Sequence, residues 1–81
     1  MVKPLRIRNQ IRRLRFFAGE MTQLELAERA GVSRQTIIAL EAEKYAPSLE
    51  LAFRIAAAFG MEITEVFRAD EGGIADEGAR E

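Results

Sequence analysis

The stretch from Thr22 to Glu43, TQLELAERAGVSRQTIIALEAE, constrains the fold more than any other part of this 81-residue chain. Thr22 stands three residues before Glu25, which is the capping-box spacing at the start of a helix. Gly31 ends that helix, because glycine readily adopts the left-handed backbone conformation of a tight helix C-terminus. Ser33 then caps a second helix. The stretch therefore predicts two short helices that meet at a fixed angle.

The second of these helices has an outward face that differs from an ordinary helix surface. A 3.6-residue wheel places Ile37 and Leu40 on the inward side. The outward side holds Arg34, Gln35, Ile38, Ala39 and Ala42. Solvated helices favour Glu and Lys, whereas Arg and Gln can form bidentate hydrogen bonds with guanine and adenine edges, and aliphatic side chains suit thymine methyl groups. This pattern favours a helix that reads a DNA groove over the alternative, a plain solvated surface.

A wider set of residues around the two helices matches a known pattern. The matching positions are Gln23, Ala27, Gly31, Val32, Ile37 and Leu40, with SRQT between them and KYAPSLELA downstream. In spacing, caps and downstream segment, residues 6 to 68 resemble the Cro/cI-type (XRE) helix-turn-helix family of prokaryotic transcriptional regulators. The resemblance implies an all-α, five-helix, lambda-repressor-like domain that binds double-stranded DNA.

The resemblance also implies roles for individual residues. Base-contacting positions hold Arg34, Gln35, Ile38 and Ala39, and phosphate-contacting positions hold Gln23, Ser33, Thr36, Lys44 and Tyr45. Ile38 replaces a frequent serine, so a methyl contact is expected there in place of a polar one. Lys44 and Tyr45 can both donate to a phosphate. Tyr45 would serve equally well as a cover over the core.

Two further features follow from the same comparison. The family often pairs an arginine of the first helix with a glutamate at the end of the reading helix, which here would be Arg15 and Glu41. The alternative is two unrelated surface charges. The family usually has Asn-Gly where this chain has Ala42 and Glu43. The reading helix is therefore expected to run a residue or two longer here.

Composition narrows the possible functions. A chain of 81 residues with 48% hydrophobic content is long enough for one small domain. The absence of Cys and His removes disulfides, the usual zinc ligands and the commonest general base. No apolar run approaches the roughly 18 to 20 residues of a membrane span. The sequence predicts a cytoplasmic protein that is not an enzyme and has no cofactor, metal, membrane contact or small-molecule ligand.

Charge is distributed unevenly along the chain. The net charge is −1, yet residues 1–45 carry nine Lys or Arg against five Glu, and residues 46–81 carry three Arg against eight acids. A basic N-terminal part and an acidic C-terminal part are typical of a protein that places one end on phosphates. Residues 1–68 are assigned to a DNA-binding domain with a short basic N-terminal arm, and residues 69–81 to an acidic, Gly-containing tail.

Apolar spacing and caps predict five helices, near 7–18, 22–30, 33–43, 48–59 and 63–68. In the first, Ile7, Ile11, Leu14 and Ala18 follow the spacing of a core-facing helix. Phe16 and Phe17 are adjacent and cannot both face the core, so one of them is expected near Met21.

The back half of the chain carries more apolar residues than one small core can bury. They cover more than half of the fourth helix, which begins after Pro47 and the cap Ser48 and ends at Gly60. We therefore expect a homodimer in which Phe53, Met61 and Ile63 lie at the contact. The family resemblance implies that this dimer acts as a repressor, on a palindromic operator. An antitoxin or other protein-interaction module of the same fold is the alternative, and an enzyme is a distant third.

Overall fold

The computed structural model describes residues 5–70, which form a bundle of five helices extended by two short strands. The elements in chain order are β1 (Arg6–Asn9), α1 (Ile11–Phe17), α2 (Gln23–Ala30), α3 (Arg34–Glu41), α4 (Leu49–Phe59), α5 (Ile63–Val66) and β2 (Phe67–Asp70). Residues 1–4 and 71–81 lie outside this description. The predicted arm and most of the predicted tail therefore fall outside the described residues.

The caps of α2 and α3 have the geometry that the sequence predicts. Thr22 Oγ1 accepts a hydrogen bond from the Glu25 backbone at 3.0 Å, and Glu25 Oε1 accepts one from the Thr22 backbone at 2.8 Å. Gly31 has a φ of 75°, in the left-handed region. Ser33 Oγ then accepts from the Thr36 backbone at 3.2 Å. Since each cap satisfies a backbone group that the helix leaves unpaired, α2 begins and ends, and α3 begins, where local chemistry requires.

α4 also follows its predicted boundaries. Ser48 Oγ accepts from the Leu51 backbone at 3.1 Å, and Gly60 ends the helix with a φ of 68°. The predicted surplus of apolar surface is present, because Leu49 and Phe53 are exposed while the opposite side of the helix is buried.

The five-helix, mostly helical fold is as expected, and the two strands add a small sheet that the all-α prediction lacks. β1 and β2 pair in antiparallel register, with Arg6 opposite Asp70 and Asn9 opposite Phe67. The first helix therefore begins at Ile11 instead of residue 7, and the fifth ends at Val66 instead of residue 68. β2 includes residues 69 and 70, which their composition groups with the tail. Strands of four residues depend on pairing between distant parts of the chain, so local spacing could not reveal them.

The core lies where the five helices meet. Each helix contributes at least one fully buried aliphatic side chain, and these are Ile11, Leu26, Ile37, Leu40, Ile55 and Val66. Burying a side chain of this kind stabilises the fold by about 1.5 to 3 kcal/mol. Because two of the six belong to α3, the inward side of the predicted reading helix is fixed by the core.

Phe16 and Phe17 lie outside this core. Phe16 lines a shallow hollow beside Met21, as expected for one of the pair, but both rings are exposed. Their centroids lie 5.4 Å apart in an edge-to-face arrangement, and the Arg13 guanidinium lies 5.7 Å from the centre of the Phe17 ring. Met21 itself is buried, so the core position near the turn is already filled.

Candidate nucleic-acid interface

The first turn of α3 presents its polar side chains to solvent. Arg34 and Gln35 are exposed, and among residues 5–70 neither side chain has a hydrogen-bond or ion-pair partner. Ile38 and Ala39, one turn further on, are half-buried and so less accessible than the helical wheel indicates. The outward face of α3 therefore has two parts. Arg34 and Gln35 are free, exposed polar side chains at its tip, the first turn, and Ile38 and Ala39 form a less accessible apolar surface one turn further on.

A largely buried ion pair holds α3 against the helices that precede it. Arg15 Nε lies 2.7 Å from Glu41 Oε2, and Arg15 Nη2 lies 3.2 Å from Glu41 Oε1. The two side chains are only 16% and 11% exposed. Arg15 Nη1 also donates to the carbonyl oxygen of Met21 at 2.8 Å. The expected pairing is confirmed, and the alternative of two unrelated surface charges is wrong.

Gln23 joins the same network from the start of α2. Its Nε2 donates to Glu41 Oε1 at 3.2 Å. An amide nitrogen carries two N–H groups, so one remains for a further acceptor. Because Glu41 orients the Gln23 side chain, that second donor has a defined direction at the edge of the candidate interface.

Ser33 and Thr36 share a hydrogen bond at the start of α3. Their hydroxyl oxygens lie 3.0 Å apart, and Ser33 Oγ also accepts the capping bond from the Thr36 backbone. Two hydroxyl groups carry two protons, and the bond between them uses one. One hydroxyl proton therefore remains for donation to an external oxygen such as that of a phosphate.

The segment after α3 differs from the expectation of a longer helix. α3 ends at Glu41, and Glu43 adopts the left-handed conformation with a φ of 57°. The Lys44 backbone donates to the carbonyl oxygen of Ala39 at 3.1 Å, which closes the helix end. Lys44 and Tyr45 follow, both exposed. The exposure of Tyr45 argues against a role as a cover over the core.

Arg12 is a candidate interface residue that the sequence did not single out. It is exposed and lines one surface hollow together with Gln23 and Arg34. Within the described chain its guanidinium has no partner. Arg12 precedes Arg15 by three residues and so shares its face of α1, which is the sequence signal that places it here. Arg12, Arg34 and Lys44 are thus three cations that border the candidate interface.

The expected dimer residues lie apart from α3. Phe53 is on α4, Met61 is in the turn that follows, and Ile63 begins α5. Phe53 and Met61 are exposed, and Ile63 is half-buried against the core. In the part of the chain that the structure covers, no helix is long and apolar enough to cross a membrane, and no group of three or more acids could hold a metal ion.

One family profile and several known proteins are similar in sequence to this chain. The profile of the helix-turn-helix family matches residues 11–66, which run from the start of α1 to the end of α5. An uncharacterised HTH-type transcriptional regulator of Methanothermobacter thermautotrophicus is 63% identical over 54 residues, which are 65% of this chain and 78% of the relative. Another from Archaeoglobus fulgidus is 48% identical over 80% of this chain and 91% of the relative. A third, from Bacillus subtilis, is 42% identical over 80% and 97% of the two chains.

The matched region contains the capped pair α2 and α3, the Arg15–Glu41 ion pair and the exposed side chains of Arg34 and Gln35. The positions that carry the sequence resemblance described above also lie within it. Family profile, relatives and geometry thus agree. This chain belongs to the Cro/cI-type (XRE) helix-turn-helix family of transcriptional regulators.

Proposed function

We propose that this protein is a sequence-specific DNA-binding transcriptional regulator that places α3 in the major groove. The observation that carries this proposal is the combination at α3 of free polar side chains at the tip and a rigid attachment behind them. Arg34 and Gln35 would contact base edges, and the half-buried Ile38 and Ala39 would contact thymine methyl groups. Rigid attachment matters because bidentate contacts tolerate little error in position.

Phosphate contacts would surround the reading helix. Gln23 offers its second amide N–H, and the hydroxyl pair of Ser33 and Thr36 offers one proton. Lys44 and Tyr45 offer donors beyond the C-terminal end of α3, the end at which Gln23 contacts Glu41. Contacts on both sides would fix the protein along the groove without reading sequence. Arg12 would add a cation beside Gln23, since the two side chains line the same hollow.

The regulator would act as a homodimer on a palindromic operator. One helix-turn-helix unit reads only a few base pairs, so specificity over a genome requires two units in register. The exposed apolar residues Phe53 and Met61, with Ile63 beside them, supply a surface for a two-fold contact. The protein would act in the cytoplasm. Its role would be repression, because a dimer bound at a promoter blocks polymerase without any further contact.

Selection of bound sequences from random duplex DNA tests this proposal. We expect enrichment of an inverted repeat whose half-sites lie about 10 base pairs apart, one helical turn. An Arg34→Ala protein, selected in parallel, should relax the preference at one position in each half-site. No enrichment with the wild-type protein would refute sequence-specific binding, and enrichment of a single half-site would refute the dimer.

A further inference from the structure

The C-terminal end of α3 is attached to the first strand. Asn9 Nδ2 donates to the carbonyl oxygen of Leu40 across 2.7 Å. The Asn9 backbone N–H donates to Glu43 Oε2 across 3.2 Å. The Leu40 carbonyl also accepts from the Glu43 backbone at 2.9 Å, so the Asn9 bond occupies the second lone pair of an oxygen at the end of α3. Asn9 therefore contacts α3 directly at Leu40, and it also contacts Glu43 in the turn that follows the helix.

Arg8 strengthens this attachment from the neighbouring position. Its Nε lies 3.1 Å from Glu43 Oε1, and its Nη1 lies 3.3 Å from Asp70 Oδ2. Arg8 thus links the carboxylate that follows α3 to a carboxylate on β2. We name the set Arg8, Asn9, Leu40 and Glu43 the strand–helix clamp.

The backbone of Glu43 indicates that the clamp is maintained against strain. Its φ of 57° lies in the left-handed region that favours glycine. A glutamate in this conformation brings its carboxylate to both Arg8 and the Asn9 backbone. The side chain at this position therefore contributes contacts that glycine would lack.

We infer that Arg8 and Asn9 are positioning residues for DNA reading, which act by fixing the tilt of α3. The inference rests on the proposed function. α3 has eight residues, so it is about 12 Å long, and a small tilt at its C-terminal end changes the aim of Arg34 and Gln35 at the other. The Arg15–Glu41 pair holds one side of α3, and the clamp holds its end. Because β2 follows α5 directly, the clamp also fixes α3 relative to the proposed dimer surface.

The substitution Asn9→Asp removes the bond of the Asn9 side chain to Leu40 and keeps its other hydrogen bond, at the start of α1. Asn9 Oδ1 accepts a hydrogen bond from the Ile11 backbone at 3.1 Å at the start of α1, and aspartate keeps that acceptor. The Nδ2 donor becomes a carboxylate oxygen that faces the Leu40 carbonyl, and the added negative charge lies on the residue whose backbone bonds to the Glu43 carboxylate. α1 should therefore form normally while the clamp is broken.

The matched control is Gln10→Glu, which makes the same amide-to-carboxylate change one residue later. It keeps the Oε1 acceptor that faces Arg13 and gives up only a 3.3 Å bond to the Glu65 carbonyl. Both substitutions alter the net charge by the same amount. If Asn9→Asp does not fold, Arg8→Gln makes that same change in charge and removes the guanidinium from Glu43.

Two measurements on the free and DNA-bound protein decide the inference. The first is hydrogen exchange at the amides of residues 42–44, which bond to carbonyl groups of α3. The second is the ratio of the affinities for the selected operator and for a random duplex. In Asn9→Asp we expect exchange to be faster and the ratio to be lower by about fivefold each, as for the loss of one hydrogen bond. In Arg8→Gln we expect about twofold each, because the Arg8 side chain is 49% exposed. In Gln10→Glu, both should match the wild type.

A loss of thermal stability alone, with exchange and affinity ratio unchanged, would overturn the inference. A wild-type protein that discriminates, together with equal ratios for Asn9→Asp and Gln10→Glu, would overturn this inference and leave the proposed function intact. A wild-type protein that does not discriminate would overturn the proposed function, and this inference with it.

Discussion

Arg15 and Glu41 form a two-bond ion pair that joins the end of α3 to α1, while Arg54 and Glu50 form a pair of similar length on the surface of α4. The first pair is 16% and 11% exposed and the second 52% and 76%. Solvent screens the surface pair, whereas removal of one partner from the largely buried pair leaves a charge with one remaining hydrogen-bond partner, Met21 for Arg15 or Gln23 for Glu41. Loss of the Arg15–Glu41 pair should therefore lower the free energy of unfolding more than loss of the Arg54–Glu50 pair.

We predict that Glu41→Gln lowers the free energy of unfolding by about 2 kcal/mol, and that Glu50→Gln lowers it by about 0.5 kcal/mol. Both changes replace a carboxylate by an amide of the same shape. Urea unfolding followed by circular dichroism measures both. Equal losses in the two variants would show that the buried pair has no special weight.

The exposed tip of α3 should matter for DNA and little for stability. Arg34→Ala and Gln35→Ala are each predicted to weaken operator binding by about 1 to 3 kcal/mol, with a melting temperature close to that of the wild type. Arg29→Ala is the matched control, because Arg29 is an exposed arginine at the other end of α2 from Gln23. Fluorescence anisotropy with operator and random duplexes gives the affinities. Equal weakening on both duplexes would mean that the two side chains hold phosphate only.

Binding should depend steeply on salt even though the net charge is −1. Local cations at the interface release counterions from the phosphates, and the acids of the back half do not prevent this. Lys44→Ala should reduce the slope of log affinity against log salt by about 0.9. Anisotropy titrations between low and moderate salt measure the slope. A flat plot for the wild type would exclude phosphate neutralisation as a source of affinity.

The apolar surface of the back half should hold two copies together. Phe53→Lys is predicted to shift the protein from dimer to monomer at micromolar concentration, because it places a charge at the proposed two-fold contact. Phe17→Lys makes the same change at a ring that is 68% exposed, against 55% for Phe53, and should leave the dimer intact. Multi-angle light scattering distinguishes the two states. A wild-type monomer would refute the contact.

Gly31 and Gly60 allow a test of backbone strain. Both have positive φ, and alanine in this conformation costs about 1 to 2 kcal/mol. A Cβ at Gly31 would lie 3.1 Å from Arg54 Nη1, whereas a Cβ at Gly60 would have nothing within 4 Å. Gly31→Ala should therefore destabilise the protein at least as much as Gly60→Ala. Thermal unfolding measures the difference, and a stable Gly31→Ala variant would contradict it.

The parts of the fold that the sequence predicts correctly are those set by local chemistry. Thr22, Ser33 and Ser48 cap helices from a few residues away, and Gly31 and Gly60 end them through their own backbone. The pairing of Arg15 with Glu41 came from the family resemblance, since their spacing in sequence carries no such information.

The missed features depend on partners far along the chain. Ile7 fits the helical spacing of Ile11 and Leu14, yet it lies on a strand whose partner begins at Phe67. Asn9 contacts Leu40 and Glu43, which no local pattern connects with it. The roles of the individual DNA-contacting and dimer residues remain predictions, because they concern molecules that bind from outside.

The pairing of Arg6 with Asp70 has a consequence for the connectivity of the chain. In an antiparallel pair, these two residues stand side by side about 5 Å apart. A two-residue hairpin turn would therefore suffice to connect residue 70 directly to residue 6. A circular permutant joined in this way, with new termini opened at the exposed turn between Gly19 and Glu20, would keep every contact of α2 with α3. The order of the elements along the chain could thus change while the surface formed by α2 and α3 stays the same.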